Sequence, residues 1–387
     1  MPLHIGKKMK SQYLAYLIFN LVIFFIFNSR ALLVASMFTF VLLTPLKFKK
    51  YYYFSFALIF LFLVIFYKHD SSLGRLFIYK VSSNLLIKSW PLGVGPGNFK
   101  RDYLVEQGKY FSDSNFSKSE FLLADNTVFA FNDWFQSICE HGVLAILIIS
   151  LFIYVLLKIY SMRHNNFWIK YYLLSILIMA FFTHVFEREY IVNLVLLTFL
   201  YLFYEISLSQ LYKRLIYNIS FIVVIYAMFN QLQLMYQTHY LEKAIKESNI
   251  GRLRQSNEIF LSLLERKMCN EYCLFYYSRN CYMLNNYDES IKYLNILLSR
   301  NSNSLYYSLL ADCLLSENKF SESEKYFIIS INMVPNRFEE RFKLLNLYLD
   351  TNQIEKAKEI ANFIIDMPIK VPSNRIIYIK QFCAKII

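Results

Sequence analysis

Arginine keeps its charge at any physiological pH and offers a planar fork to two oxygens of one anion. Two arginines stand out by their setting. Arg30 lies alone between two apolar runs in Ser29-Arg30-Ala31, and Arg75 follows a third run in Gly74-Arg75-Leu-Phe-Ile-Tyr-Lys80. Each has a plainer reading, as a snorkelling interfacial side chain or a helix cap. Downstream, Trp90-Pro-Leu-Gly-Val-Gly-Pro-Gly-Asn-Phe99 places Gly93, Gly95 and Gly97 in a tight turn. It is not a phosphate-binding glycine loop, which would follow a strand and open a helix. Next come Asp125-Asn126, Phe131-Asn132-Asp133-Trp134-Phe135-Gln136 and Glu140-His141-Gly142. Asp125, Asp133, Glu140 and His141 are the groups here that could move a proton, the carboxylates being the familiar choice. For each, a loop ion pair or a cap is the alternative. No histidines stand at ligand spacing to the cysteines, so neither a metal nor a cofactor is expected.

The elements that position these residues follow from composition. The chain is 56% hydrophobic with 37 Phe and a mean hydropathy of +0.33, more than an ordinary soluble domain carries. Only 8 Gly and 7 Pro occur in 387 residues, which predicts an all-α protein. The net charge is +13, yet residues 237–387 hold 20 Lys/Arg against 17 Asp/Glu and residues 68–141 hold 8 against 8. The excess therefore flanks the apolar runs. That pattern orients a membrane protein, and it excludes nucleic acid as a partner.

Seven apolar runs approach the roughly 20 residues that a membrane-spanning helix needs: about 11–28, 31–46, 51–67, 142–160, 169–186, 190–206 and 215–236. The first could be a signal peptide, but its core is long and no small-residue cleavage site follows, so it is taken as a retained span. Lys7, Lys8 and Lys10, then Lys47, Lys49 and Lys50, then Lys158, Arg163 and Lys170, then Lys213 and Arg214 cluster in alternate loops and belong in the cytoplasm. Arg30, the loop 68–141, Glu187-Arg188-Glu189 and everything after 236 then lie outside.

After the last run the pattern becomes amphipathic and repeats. Leu253-Arg-Gln-Ser256, Tyr287-Asp-Glu-Ser290, Phe320-Ser-Glu-Ser323 and Ile354-Glu-Lys-Ala357 align with spacings of 34, 33 and 34 at the small fourth residue. That is the tetratricopeptide period, in which hairpins of helices stack to bury a shared core. Pro335 and Pro368 sit where the family often closes a unit. The expected architecture is a polytopic transmembrane helical bundle over 1–236, followed by a tetratricopeptide-like α-solenoid over 237–387. The repeats are expected to separate from the membrane part, joined to it only near residue 237. The cysteines, five of them at Cys269, Cys273, Cys281, Cys313 and Cys383 and one at Cys139, are expected as core residues rather than disulfides.

The loop motifs, in their order and on their common side of the membrane, resemble the O-antigen ligase/polymerase superfamily. The resembling elements are Ser29-Arg30-Ala31, the helix opened by Arg75, the Pro91-Leu-Gly-Val-Gly turn ending in Asn98-Phe99, and the Asn132 motif leading through Glu140-His141-Gly142 into a span. The resemblance implies transfer of a glycan from a polyprenyl-diphosphate carrier to a hydroxyl of a lipid or glycan acceptor. The setting is the periplasmic face of a bacterial inner membrane, in lipopolysaccharide or other cell-surface polysaccharide biosynthesis. It makes Arg30 and Arg75 the contacts for the leaving diphosphate and Asp133 and Glu140 candidate catalytic carboxylates. Gly93, Gly95, Asn98 and Asn132 are its candidate substrate-binding residues.

Two departures stand beside it. Where the family places a histidine just before the Asn of its third motif, this chain has Phe131, which accepts no proton. Members also usually carry about a dozen spans with the Ser-Arg motif half-way along, so a truncated product, or else a compact variant, is expected. The alternative function is a non-catalytic membrane scaffold whose repeats recruit a protein partner. The topology has a direct check: in a cysteine-free background, single cysteines in 68–141 and 240–387 should react with an impermeant maleimide in spheroplasts. Cysteines near Lys49 and Arg163 should react only after lysis, and a cytoplasmic repeat region would overturn the assignment.

Overall fold

The computed structural model describes residues 31–32, 34–35, 38–39, 69–113, 116–161, 167–206 and 209–387. Arg30 and the expected spans at 11–28 and 51–67 lie outside these residues, as does most of the span at 31–46. From His69 onward the chain is all-α, with no strand among the described residues. Its helices are α1 His69–Ser89, α2 Phe99–Ser112, α3 Lys118–Leu123, α4 Asp133–His141, α5 Val143–Ser161, α6 Phe167–Met179, α7 Glu189–Ile206 and α8 Gln210–Asn249. There follow α9 Leu253–Glu265, α10 Glu271–Met283, α11 Tyr287–Arg300, α12 Ser304–Ser316, α13 Phe320–Met333, α14 Phe338–Asp350, α15 Ile354–Asp366 and α16 Asn374–Cys383.

Contacts divide the chain into two units, one of Met1–Leu76, Trp90–Gly93 and Phe129–Phe229, the other of Phe77–Ser89, Val94–Val128 and Asn230–Ile387. In the first, α5 and α7 are built mostly of apolar residues. Helix α6 stops at Met179 after 13 residues, short of the expected span end at 186, and residues 180–188 form a turn. Among the described residues one helix, α8, is long and apolar enough to cross a membrane; Val143–Tyr154 is a shorter apolar helix.

In the second unit, α9 to α15 are antiparallel neighbours in chain order, and the 33- or 34-residue period has a precise physical content. Ser256, Ser290, Ser323 and Ala357 are all fully buried. Each serine hydroxyl donates to a carbonyl twelve residues earlier, at Ala244 (2.8 Å), Ser278 (2.8 Å) and Ala311 (2.9 Å). The small side chain lets two helices approach, and the hydroxyl is satisfied at the point of approach. The turn before each of these helices repeats as well. Gly251, Asn285, Asn318 and Asn352 take positive φ of 87°, 62°, 60° and 56°. The next N–H in each case, from Arg252, Asn286, Lys319 and Gln353, reaches back five residues to the carbonyl of Glu247, Cys281, Leu314 and Tyr348. Glycine and asparagine are the residues that enter this left-handed helix end at least cost.

The unit that holds the repeats also takes in the loop segment 94–128, which packs onto them. Helix α2 lies on α13: Gln107 Nε2 donates to the Met333 carbonyl at 2.6 Å, and a Cβ on Gly108 would come 3.5 Å from Met333 Cγ. Phe121 of α3 enters the core formed by Phe327, Phe342 and Leu345. The Asn336 amide donates to the carbonyls of Phe121, Leu122 and Ala124 at 3.0, 3.2 and 2.7 Å, two hydrogens shared among three acceptors. Asn126 and Ser304 exchange two bonds of 3.0 Å, and Lys100 pairs with Glu271.

Cys269 and Cys273 are joined as a disulfide, which corrects the expectation for that pair. Cys269 precedes the Asn270 cap of α10 and so is not on its helical surface; the Cα atoms come within 5.4 Å, inside the bonding range. Cys139, Cys281, Cys313 and Cys383 are buried thiols.

Removing the Asn336 amide from three carbonyls should weaken the docked loop by about 1–3 kcal/mol. In Asn336→Ala, amide exchange of residues 117–126 should speed by about 5- to 150-fold while α10 and α11 keep their protection. Unchanged exchange in 117–126 would mean that the amide does not hold the loop.

Candidate functional site

The candidate site is built on α4, and its sequence explains its start and its stop. Asn132 is extended and its Oδ1 accepts the Phe135 N–H at 3.0 Å, an N-cap that leaves Asp133 in the first turn. The helix ends at Gly142, where a Cβ would lie 1.8 Å from the Pro91 carbonyl oxygen. The Pro91 carbonyl also accepts the Val143 N–H at 2.9 Å. Gly93, at φ +78°, approaches the same helix end, and a Cβ there would sit 2.5 Å from the Glu140 carbonyl oxygen. Two of the glycines that marked the motifs are thus the surfaces by which the turn 90–93 seats on α4.

From α4 three side chains reach the turn after α6. Asp133 Oδ2 accepts the N–H groups of Val185 at 2.6 Å and Phe186 at 3.0 Å, and its own N–H donates to the Ala180 carbonyl at 2.8 Å. Trp134 Nε1 donates to the Leu177 carbonyl at 3.2 Å. Gln136 Nε2 donates to Glu187 at 2.9 Å and Glu140 at 3.4 Å, while its Oε1 accepts the Ala130 N–H at 3.1 Å. Around these groups is a cavity of 410 Å³ lined by Asp133, Glu140, His141 and Glu187, with Ile148, Phe152 and Phe186 as its apolar wall. Burial pushes the Asp133 carboxyl up to about 6, with Glu187 adding to the rise and the two N–H donors opposing it. Burial, then Glu140, pushes the Cys139 thiol up to about 12, so it is no nucleophile.

Arg75 belongs to the same unit. Its Nη1 donates to the Phe182 carbonyl at 2.9 Å, and its guanidinium lies 5.4 Å from the centre of the Phe131 ring. Phe131, at φ +53°, and Phe129 both meet the ring of His184, at centroid distances of 5.5 Å and 4.3 Å. The structure therefore gathers Arg75, Gly93, Asn132, Asp133 and Glu140 into one unit. Gly95 and Asn98 are counted with the other, where they close their own turn: the Asn98 N–H donates to the Gly95 carbonyl at 3.2 Å and its amide to Val94 at 2.9 Å.

Sequence reasoning passed over His184 and Glu187 as site residues, because one fell inside an apolar run counted as a span and the other was counted as a loop charge. An ionisable residue at the end of an apolar run was the signal that could have found them. Among the described residues no three His, Cys, Asp or Glu side chains converge closely enough to hold a metal ion. Compared with known proteins, the chain matches no family model and no curated relative.

Asp133 supplies a pH test. Its folded value is raised, so its stabilising contribution is fully present below about pH 4, the ordinary aspartate value, and is lost as the pH rises through about 6. The melting temperature of the full chain should fall between pH 4 and 6 more steeply in wild type than in Asp133→Asn. Parallel profiles would show that the carboxyl titrates normally.

Proposed function

We propose that the chain is a membrane glycosyltransferase of the O-antigen ligase/polymerase type. It moves a glycan from a polyprenyl-diphosphate carrier to an acceptor hydroxyl at the periplasmic face of a bacterial inner membrane. The membrane part of this reading is a polytopic bundle. It is supported by the continuous apolar surface of α5 and α8, where Leu147, Leu151, Phe229 and Leu232 are each more than 60% exposed. In α5, α7 and α8 the hydroxyls of Ser150, Thr198 and Ser220 fold back to carbonyls four residues earlier, at 2.8, 2.7 and 2.8 Å. Polar groups facing lipid need that internal satisfaction. The repeats are read as a tetratricopeptide-like solenoid on the strength of their period, buried serines and turn asparagines.

The observation that carries the activity is Arg75, anchored by the Phe182 carbonyl and the Phe131 ring in the unit that holds the carboxylate-lined cavity. A guanidinium so oriented suits a leaving diphosphate, since its charge is permanent and its donors lie in one plane. No metal is required, and the acceptor occupies the cavity beside Asp133 and Glu140. Phe131 favours a second reading, a non-catalytic scaffold, because it removes the histidine of the resembling family.

The two readings part in a transfer assay with lipid-linked glycan, in a strain lacking its own ligase. Arg75→Lys keeps the charge and loses the fork, so transfer should fall about tenfold or more at equal insertion, the worth of one or two charged hydrogen bonds. Transfer unaffected by Arg75→Lys would sink the diphosphate assignment, and no transfer by the wild-type chain would favour the scaffold.

A further inference from the structure

The turn 90–93 presents an apolar tip that its own unit does not cover. Leu92 is 81% exposed, more than any other large hydrophobic side chain among the described residues, and Trp90 is 51% exposed. A loop free to move would turn such side chains inward, away from water. This one is held out by its backbone: the Pro91 carbonyl accepts the Val143 N–H at 2.9 Å, and Gly93 and Gly142 lie so close to the facing backbone that neither has room for a Cβ. Apolar side chains fixed in an exposed position mark a surface that meets something other than water.

The place where the turn is held names the occupant. At Gly142 the chain changes character within one residue. Before it, α4 carries Asp133, Gln136, Glu140 and His141, whereas Val143–Tyr154, after it, has no charged residue. In a helix that enters a bilayer such a step falls where water gives way to hydrocarbon. The turn is bonded at this step to the first residue of α5, and the exposed apolar flank of α5 begins there with Leu144, Leu147, Ile148 and Leu151. Continuity with that flank makes lipid, rather than a protein partner, the occupant. The residue types fit the level as well. An indole buries an apolar ring while its N–H stays with polar headgroups, which is why Trp collects at membrane boundaries, and a leucine has no polar atom to keep wet.

Resting on the membrane reading of this chain, we propose that the turn 90–93 is a lipid anchor in the leaflet on the outer side of the membrane. Leu92 enters the upper acyl chains, and the Trp90 indole lies at the headgroups. The anchor acts on the candidate site through α4. Gly93 meets the Glu140 carbonyl and Gly142 meets the Pro91 carbonyl without slack, so the anchor also fixes the height of Asp133 and Glu140 over the leaflet.

The test uses the full chain in vesicles of phosphatidylcholine brominated either near the glycerol end or near the methyl end of its acyl chains, bromine being a contact quencher of indole fluorescence. The signal of Trp90 is the emission of wild type minus that of Trp90→Phe, since both keep Trp134 and Trp168. That signal should fall about twofold or more with glycerol-end bromine, and less with methyl-end bromine. Leu92→Asp, measured against its own Trp90→Phe partner, should lose about half or more of that quenching, because a carboxylate resists entering hydrocarbon. Leu151→Trp in the Trp90→Phe background reports on the membrane reading itself, and methyl-end bromine should quench its added emission. Quenching there without quenching of Trp90 overturns the anchor and leaves the membrane reading standing. Equal quenching of Trp90 in wild type and Leu92→Asp, or stronger quenching of Trp90 by methyl-end bromine, also overturns the anchor. Absence of quenching at Leu151→Trp overturns the membrane reading, and the anchor with it.

Discussion

The candidate site depends on one carboxylate taking two backbone N–H groups. Residues 180–188 have no regular structure of their own, so the N–H groups and carbonyls that their local turns leave open must be satisfied from elsewhere. Asp133 does this for Val185 and Phe186 with a single oxygen, and its own N–H takes the Ala180 carbonyl. Arg75 takes the Phe182 carbonyl, and Gln136 takes the Glu187 side chain. Asp133, Gln136 and Arg75 are thus each tied to this turn. The cost is a carboxyl held in a half-buried place where its charge is poorly solvated, a burden more often met at functional sites than in ordinary loops.

How much of this the sequence discloses depends on whether the cause is local. The period of 33 or 34 is local and visible, because a small residue must recur wherever two helices approach. That three of the four are serine rather than alanine has an equally local reason in the carbonyl twelve residues back, yet the bond closes between two helices and leaves no trace in composition. The turn residues Gly251, Asn285, Asn318 and Asn352 carry a legible signal of the same period, independent of the small helix residues.

Gly93 and Gly142 are conspicuous in the sequence, but what they avoid is backbone about fifty residues away, so the packing that requires them is not visible in the motifs themselves. The docking of 94–128 on the repeats is hidden for a related reason. Its anchors, Gln107, Phe121 and Asn126, are ordinary helix and loop residues, and their partners Met333, Asn336 and Ser304 lie roughly two hundred residues later. His184 escaped because an apolar run was read as a uniform span, whereas its helix ends at Met179.

Repeat arrays commonly gain and lose whole units by duplication and deletion, since each unit touches only its neighbours and any one can stand in for another. Here that freedom is restricted. The loop grips Glu271 at the start of one hairpin, Ser304 and Met333 in the next, and Asn336 and Phe342 at the threshold of a third. An extra unit inserted anywhere between 271 and 342 would carry part of this grip about one repeat out of reach, while a unit added beyond α16 would leave it intact. By this grip the array can lengthen only outside 271–342, and its central copies have become individuals, each bound to a particular stretch of the loop.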